Sequence, residues 1–297
     1  MSDRKDFASL YASGNRVGTT HAIGMAFVRW RDQLAGRLIR LGATPNRLTF
    51  AGFVVTVFSA VCLAFGASYR APWEAHAGAE TASSWWPVAA FIWLFVACAF
   101  DMLDGAVARL GGMSSSFGAV LDSTLDRFSD IAIYLACVAH FAWIGNLTYT
   151  VLAVVAMANT FMISYVKARA EEIIDDCSVG WWLRGERCVA MLITTGLCHI
   201  PTLLWSQATL PALTVLRRIV YTRAALEAKA KGSPPPNRGP LPGLWRYVAL
   251  WRFPRGSIPF DIVAGSNIAF LIVAPWIHPF FYGATDPLRT LVAWLTG

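Results

Sequence analysis

The sequence predicts an all-α integral membrane protein. Six transmembrane helices follow an N-terminal amphipathic interfacial helix, and a C-terminal extension carries a seventh hydrophobic segment. Three observations carry this. Of 297 residues, 56% are hydrophobic and only 14% charged, against roughly 25% charged in soluble domains. Mean hydropathy is +0.49. Apolar runs of spanning length recur, and Lys/Arg cluster at every second run end, as orientation in a bilayer requires. A soluble enzyme, a disordered chain and a disulfide scaffold are excluded. The net charge of +7 is distributed at run ends rather than in one footprint, so nucleic acid is not an expected partner. Six Cys without a CxxC pair read as buried thiols.

Taken in order, residues 1–43 form a cytoplasmic N-terminus. Its first residues, MSDRKDFASLYASGNR, are polar and do not read as a cleavable signal peptide. Within 26–41, Phe27, Trp30, Leu34, Leu38 and Leu41 share a helical stripe while Arg29, Arg31, Arg37 and Arg40 fall mainly on other faces, the pattern of a helix in the headgroup layer. Residues 44–231 hold the six runs: about 48–65, 85–112, 116–144, 148–166, 188–204 and 208–222. Eight Lys/Arg precede the first run, over residues 1–47, and only Arg70 lies in the loop after it. Lys167, Arg169, Arg184 and Arg187 follow the fourth run, whereas the segments after runs three and five have none. The even-numbered ends therefore face the cytoplasm.

Residues 232–297 begin with the linker GSPPPNRGPLPG. Trp245–Arg255 suits an interface. Ile258–Phe281 is apolar but interrupted by Asp261, Asn267 and Pro275, so a seventh helix and a re-entrant segment both fit. Trp85-Trp86 and Trp181-Trp182 read as interfacial belt residues, and the five His as packing or interface residues.

Runs two and three hold Asp101, Asp104, Asp122, Asp126 and Asp130. A charge at the bilayer centre costs about 2.5–3.5 kcal/mol on insertion scales, so something must hold them there. Asp101 and Asp104 are spaced i, i+3, and Asp122 and Asp126 i, i+4, so each pair shares a helix face. Gly111-Gly112 breaks the chain and Ser114-Ser115-Ser116 offers a cap for the next helix. The resulting hairpin sets Asp101 about 15 Å before the turn and Asp122 about 12 Å after it, with all four carboxylates converging. Small residues, Gly105, Ala108, Gly118 and Ala119, favour close approach. Hard oxygen donors select Mg²⁺, Mn²⁺ or Ca²⁺, one ion or a bridged pair. Arg109 and Arg127 are too few to neutralise five acids, so metal is favoured over structural ion pairing. Intramembrane carboxylates also mark ion pathways, which leaves a cation transporter as the rival class.

The spacing Asp101-x2-Asp104-Gly105-x2-Ala108-Arg109-x8-Gly118-x3-Asp122-x3-Asp126 resembles the signature of the CDP-alcohol phosphotransferase family, without gap or substitution. The resemblance covers about residues 26–230, and the Thr44-Pro45-Asn46 opening of run one is also similar. It implies an integral membrane enzyme of the inner or plasma membrane, its site facing the cytoplasm, that moves the phosphatidyl group of CDP-diacylglycerol to an acceptor hydroxyl and releases CMP. It further implies two Mg²⁺ or Mn²⁺ ions on Asp101, Asp104, Asp122 and Asp126, with Asp126 also the general base. Asp104, Gly105, Ala108, Arg109 and Gly118 would line the cytidine-diphosphate pocket, and a homodimer is expected. DSTLDRFSD and SYVKARAEE are similar to the phosphatidylinositol-phosphate synthase branch, although Arg217-Arg218 stands where that branch has Gln-Arg. Inositol phosphate is therefore the expected acceptor and glycerol 3-phosphate the runner-up. A phosphorylated acceptor needs further cations, for which Lys167, Arg187 and Arg218 are the candidates; Arg184 is read equally well as a loop charge. The nucleotide-pocket residues separate this reading from the transporter.

Overall fold

The structure is a computed structural model and describes residues 19–73, 83–180, 182–236, 258–283 and 285–296. The expectations for Trp181, Trp245–Arg255 and most of the Pro/Gly linker lie outside the described residues. Helices dominate, and no named strand occurs among the described residues; the only sheet-like pairing described is an isolated bridge between Arg70 and Ser83. The helices are α1 (Thr19–Arg40), α2 (Pro45–Gly66), α3 (Trp86–Leu110), α4 (Ser116–Trp143), α5 (Leu147–Glu171), α6 (Arg184–Gly196), α7 (Ile200–Ala230), α8 (Ile258–Ile277) and α9 (Pro287–Thr296), with a 3₁₀ turn at Pro279–Tyr282. Among the described residues α2, α3 and α5 are long and apolar enough to cross a membrane. Helices α4 and α7 are long enough but interrupted by charge: Asp122, Asp126, Arg127 and Asp130 in one, Arg217, Arg218, Arg223, Glu227 and Lys229 in the other. The chain divides into two compact units, one of residues up to Gly52 with Cys98–Leu125, the other of Phe53–Ala97 with Asp126 onward.

In the first unit, the amphipathic stripe of α1 is split. Leu34, Ala35, Leu38 and Ile39 pack on Leu48, Phe100, Leu103, Ala106, Val107 and Met113, whereas Phe27, Trp30 and Leu41 stay exposed. The α3–α4 break falls where the glycines place it. Gly112 takes φ +61, and the amides of Gly111, Gly112 and Met113 close onto the last carbonyls of α3. The Ser115 hydroxyl then accepts from the Gly118 amide at 3.0 Å, capping α4.

In the second unit, α5 and α7 make the most extensive helix pairing. Here the structure corrects the fifth and sixth runs. The turn lies at residues 197–199, and LLWSQATLP belongs to one long helix, α7, with Pro201 in its first turn. Two of its polar residues are anchored inside the fold: Ser206 donates to the Leu203 carbonyl, and the Gln207 side-chain oxygen accepts from the Trp182 indole at 3.0 Å. Trp182 is accordingly buried, not a belt residue, because its N–H has an internal acceptor. His140 is likewise a satisfied packing residue: it accepts from the Ser68 amide through Nε2 and donates to the Ala64 carbonyl through Nδ1. None of the six Cys is in a disulfide.

Candidate active site

In the first unit, Asp101 on α3 and Asp122 on α4 bring carboxylate oxygens within 4.8 Å of each other. A donor pair at this separation needs only small side-chain rotation to share an ion whose oxygen ligands stand about 2.1 Å away. The donor set is oxygen only, which fits a hard divalent cation and not a thiolate or imidazole metal. Asp126 follows Asp122 by one turn of the same helix and so lies on the same face.

Asp104 does not join that close group. It is buried, and the Thr49 hydroxyl donates to its Oδ2 at 2.7 Å. Of the four expected ligands, Asp104 is the one held toward α2, by Thr49 one turn into that helix. The same hydroxyl also lies 3.0 Å from the Pro45 carbonyl, so the opening turn of α2 fixes the carboxylate's orientation. Sequence reasoning noticed Thr44-Pro45-Asn46 but missed Thr49.

Gly105 has no Cβ, and one added there would stand 3.3 Å from Nη1 of Arg109, one turn on. Arg109 therefore lays its guanidinium over the bare backbone of Gly105. A Cβ at Gly118 would stand 3.0 Å from the Ser115 hydroxyl and 3.2 Å from Asn46 Oδ1, which shows how the α2 opening packs on the start of α4. Ala108 lies half-buried on α3 between them in sequence.

In the second unit, Asp126 is buried and receives Nη2 of Arg184 at 2.5 Å on its Oδ1. Arg127 Nη1 stands 3.9 Å from its other oxygen. Arg184, read from sequence as a loop charge as readily as a site residue, thus contacts the expected general base directly. It stands first in α6, three residues before Arg187 on the same helix face. Arg187 is only 3% exposed. Its Nη2 donates to Asp130 at 3.2 Å, while Nε and Nη1 are buried without a hydrogen-bond partner among the described residues. The α6 N-terminus has no side-chain cap, since Leu183 occupies the cap position. A helix N-terminus with two arginines in its first turn is an arrangement that favours an anion.

The other two expected acceptor cations sit differently. Lys167 pairs with Glu171 at 3.6 Å, one turn away on α5. Arg218 is buried and donates to the Val179 carbonyl at 3.1 Å and to the Ile163 carbonyl. It stitches α7 to α5 and to the loop before α6.

The family follows from these residues taken together. A model of the CDP-alcohol phosphatidyltransferases matches residues 43–226, and the chain belongs to that family. It is an integral membrane enzyme that transfers a phosphatidyl group from a CDP-linked lipid. The phosphatidylinositol phosphate synthase of Cutibacterium acnes is 32% identical over 213 residues, 66% of this chain and 94% of that protein. The same enzyme of Mycobacteroides abscessus is 34% identical over 208 residues, 67% of this chain and 86% of that one. Among solved structures, the phosphatidylinositol phosphate synthase of Mycobacterium tuberculosis with CDP-DAG bound aligns with a TM-score of 0.55 and 26% identity, over 65% of this chain and 94% of that one. The same enzyme in complex with manganese and citrate aligns with a TM-score of 0.53 and 26% identity, over 65% of this chain and 88% of that one.

Proposed function

We propose that the protein transfers the phosphatidyl group of CDP-diacylglycerol to a hydroxyl of inositol phosphate, giving phosphatidylinositol phosphate and CMP. The observation that carries the acceptor is Arg187: a guanidinium nine-tenths buried, with two nitrogens that no described protein group satisfies. Asp130 already pairs the charge through Nη2, but buried N–H donors left without acceptors cost stability, and an acceptor bearing its own phosphate supplies those acceptors. The similarity to two phosphatidylinositol phosphate synthases supports the same acceptor, and the CDP-DAG bound by the tuberculosis enzyme supports the donor.

In this reading Asp101, Asp104, Asp122 and Asp126 would hold two Mg²⁺ or Mn²⁺ ions, which would supply the positive charge that phosphoryl transfer requires. Gly105 admits the nucleotide against the backbone, and Arg109 pairs a pyrophosphate oxygen as a planar fork. Ala108 and Gly118 complete the pocket wall. Asp126 accepts the proton of the acceptor hydroxyl, with Arg184 fixing which of its oxygens faces the reaction. Arg187 binds the acceptor phosphate, with Lys167 and Arg218 as secondary cations. The six-span domain covers residues 44–231, follows a cytoplasmic segment (1–43) and precedes an extension (232–297). The active face is the cytoplasmic side of the inner or plasma membrane, and the working form is a homodimer.

The test is CMP release by purified protein with CDP-diacylglycerol and Mg²⁺, offering inositol 1-phosphate, glycerol 3-phosphate, inositol and serine one at a time. Release with inositol 1-phosphate alone supports the reading. Release with glycerol 3-phosphate alone overturns the acceptor and leaves the donor chemistry intact. Release with none, together with no divalent-dependent melting shift on adding CMP, overturns the assignment of the carboxylates.

A further inference from the structure

The C-terminal extension lies outside the family match, which ends at residue 226. Helix α6 has 13 residues, about 20 Å at 1.5 Å per residue, which is shorter than a hydrocarbon core of about 30 Å. The turn that follows it, Leu197–His199, contains Cys198 at φ +57. A non-helical turn recessed below the membrane surface must be covered by protein, because lipid offers no hydrogen bonds. Here Cys198, His199 and Ile200 are all buried.

What covers the turn is α8 and the 3₁₀ turn after it. Pro275 has no N–H, so the Leu271 carbonyl four residues before it loses its helical donor. His199 Nδ1 lies 3.2 Å from that carbonyl and takes the missing place. Thr202, in the first turn of α7, donates to the Phe281 carbonyl at 3.1 Å. Leu271 is six residues before the end of α8, about 9 Å along the axis. The α6–α7 turn therefore sits about 9 Å below the level at which α8 ends.

That level is also the outer end of α5. The Tyr149 hydroxyl donates to the Phe280 carbonyl, and Asn146 Nδ2 donates to the Gly283 carbonyl at 2.9 Å. Asp286 accepts from the amides of Leu147 and Thr148 at 2.7 and 2.9 Å, and Arg289 reaches the Gly145 carbonyl at 3.3 Å. Along α4 this end, Trp143, is 17 residues from Asp126, about 26 Å. Helix α8 has 20 residues, about 30 Å, so its start lies near the level of Asp126. The charges agree: residues 231–257 carry five Lys/Arg and no acid, whereas residues 278–297 carry only Arg289 and Asp286.

We infer that α8 is a seventh membrane-spanning helix, and that α9 lies on the face opposite Asp126 with its apolar side in the lipid headgroup layer. Asp286 ties α9 to the first residues of a spanning helix and so sets its depth. Leu291, Val292, Trp294 and Leu295 are all exposed on α9, as are Trp143 and Trp276 near the same level, the positions of an aromatic belt. An apolar cleft of about 810 Å³ between the 3₁₀ turn and α9, lined in part by His278, Phe280, Leu291 and Trp294, opens where lipid would enter it. The placement rests on α5 being a span and not on the choice of acceptor.

Two measurements on full-length protein test it. Thr296→Cys and Ser233→Cys are labelled separately in sealed, oriented vesicles with a membrane-impermeant maleimide, wild type serving as background. Labelling from opposite faces is expected; labelling from one face makes α8 re-entrant and overturns the inference. In proteoliposomes of phosphatidylcholine brominated near the headgroup, the emission difference between wild type and Trp294→Phe should be quenched by the lipid and insensitive to iodide. Quenching by iodide alone, or by neither, would place α9 in water or under a second copy and overturn the lipid assignment.

Discussion

The two ends of helix α4 present opposite chemistry. At its C-terminal end, the loop to α5 leaves little polar demand open. Asn146 accepts from the Tyr149 amide at 3.1 Å, and Asp286 takes the Leu147 and Thr148 amides, so the first three orphan N–H groups of α5 have protein acceptors. Toward its other end, around Asp126 and Asp130, Arg184 contacts Asp126, and Arg187 is buried with two nitrogens open. A protein interior normally satisfies its polar groups, and partial satisfaction is costly. The contrast fits the proposal that the closed end is structural and the open end binds the acceptor. Substitutions at one end should move turnover, and at the other only stability.

The largest effect is expected for Asp126→Asn. Removing a general base costs about 10²- to 10⁴-fold in rate, and CDP-lipid binding should survive. Turnover and binding are read separately, by CMP release and by lipid-dependent melting. Wild-type turnover would remove Asp126 from proton transfer.

Next comes Arg187. Arg187→Lys keeps a cation facing Asp130 but loses the planar fork. A hydrogen bond to a charged group contributes about 1.5–3 kcal/mol, so acceptor KM should rise by about one to two orders of magnitude with donor KM and melting temperature nearly unchanged. A drop in melting temperature with unchanged KM would mark Arg187 as structural and break the contrast.

A smaller effect, on stability alone, is expected at the closed end. Asp286→Ala removes a cap shared by α5 and α9 and should cost about 1–2 kcal/mol, seen as a lower melting temperature in detergent with kcat unchanged. Any loss of kcat beyond the unfolded fraction would couple the two ends.

The smallest effect sharpens the last. Burial opposes ionisation of Asp286, but hydrogen bonds from the Thr148 hydroxyl and the Leu147, Thr148 and Arg289 amides outweigh it and hold the carboxyl below its usual range. The unfolded value is about 3.9. A depressed folded pKa gives stability that is present above the unfolded value and lost as pH falls through the folded one. The melting difference between wild type and Asp286→Asn should be constant from neutral pH to about pH 5 and narrow below about pH 4. A difference that widens on acidification would mean that Asp286 is not held as the carboxylate.

The carboxylate signature was legible because its spacing is local. Gly111-Gly112 and Ser115 end one helix and cap the next through contacts a few residues apart. What sequence reasoning missed depends on distant partners. Arg184 meets Asp126 across 58 residues, Trp182 meets Gln207 across 25, and Asn146 meets Gly283 across 137. The polar stretch inside α7 looked like a loop because the Trp182 indole that pairs with the Gln207 oxygen comes from another element. Pro275 looked like an interruption in the last hydrophobic segment for the same reason: the donor that repairs its helix is a histidine from another turn. Thr49 was within reach of sequence, one turn past Pro45, but nothing local distinguishes its hydroxyl from one that bonds only its own helix.

The most direct measurement compares kcat/KM for inositol 1-phosphate and for inositol, with CDP-diacylglycerol as donor, in wild type and Arg187→Ala. Wild type should prefer the phosphorylated acceptor by about two orders of magnitude or more, and Arg187→Ala should lose most of that preference, as expected for one charge-assisted contact. Equal use of both acceptors by wild type, or an undiminished preference in Arg187→Ala, would contradict the proposed acceptor site.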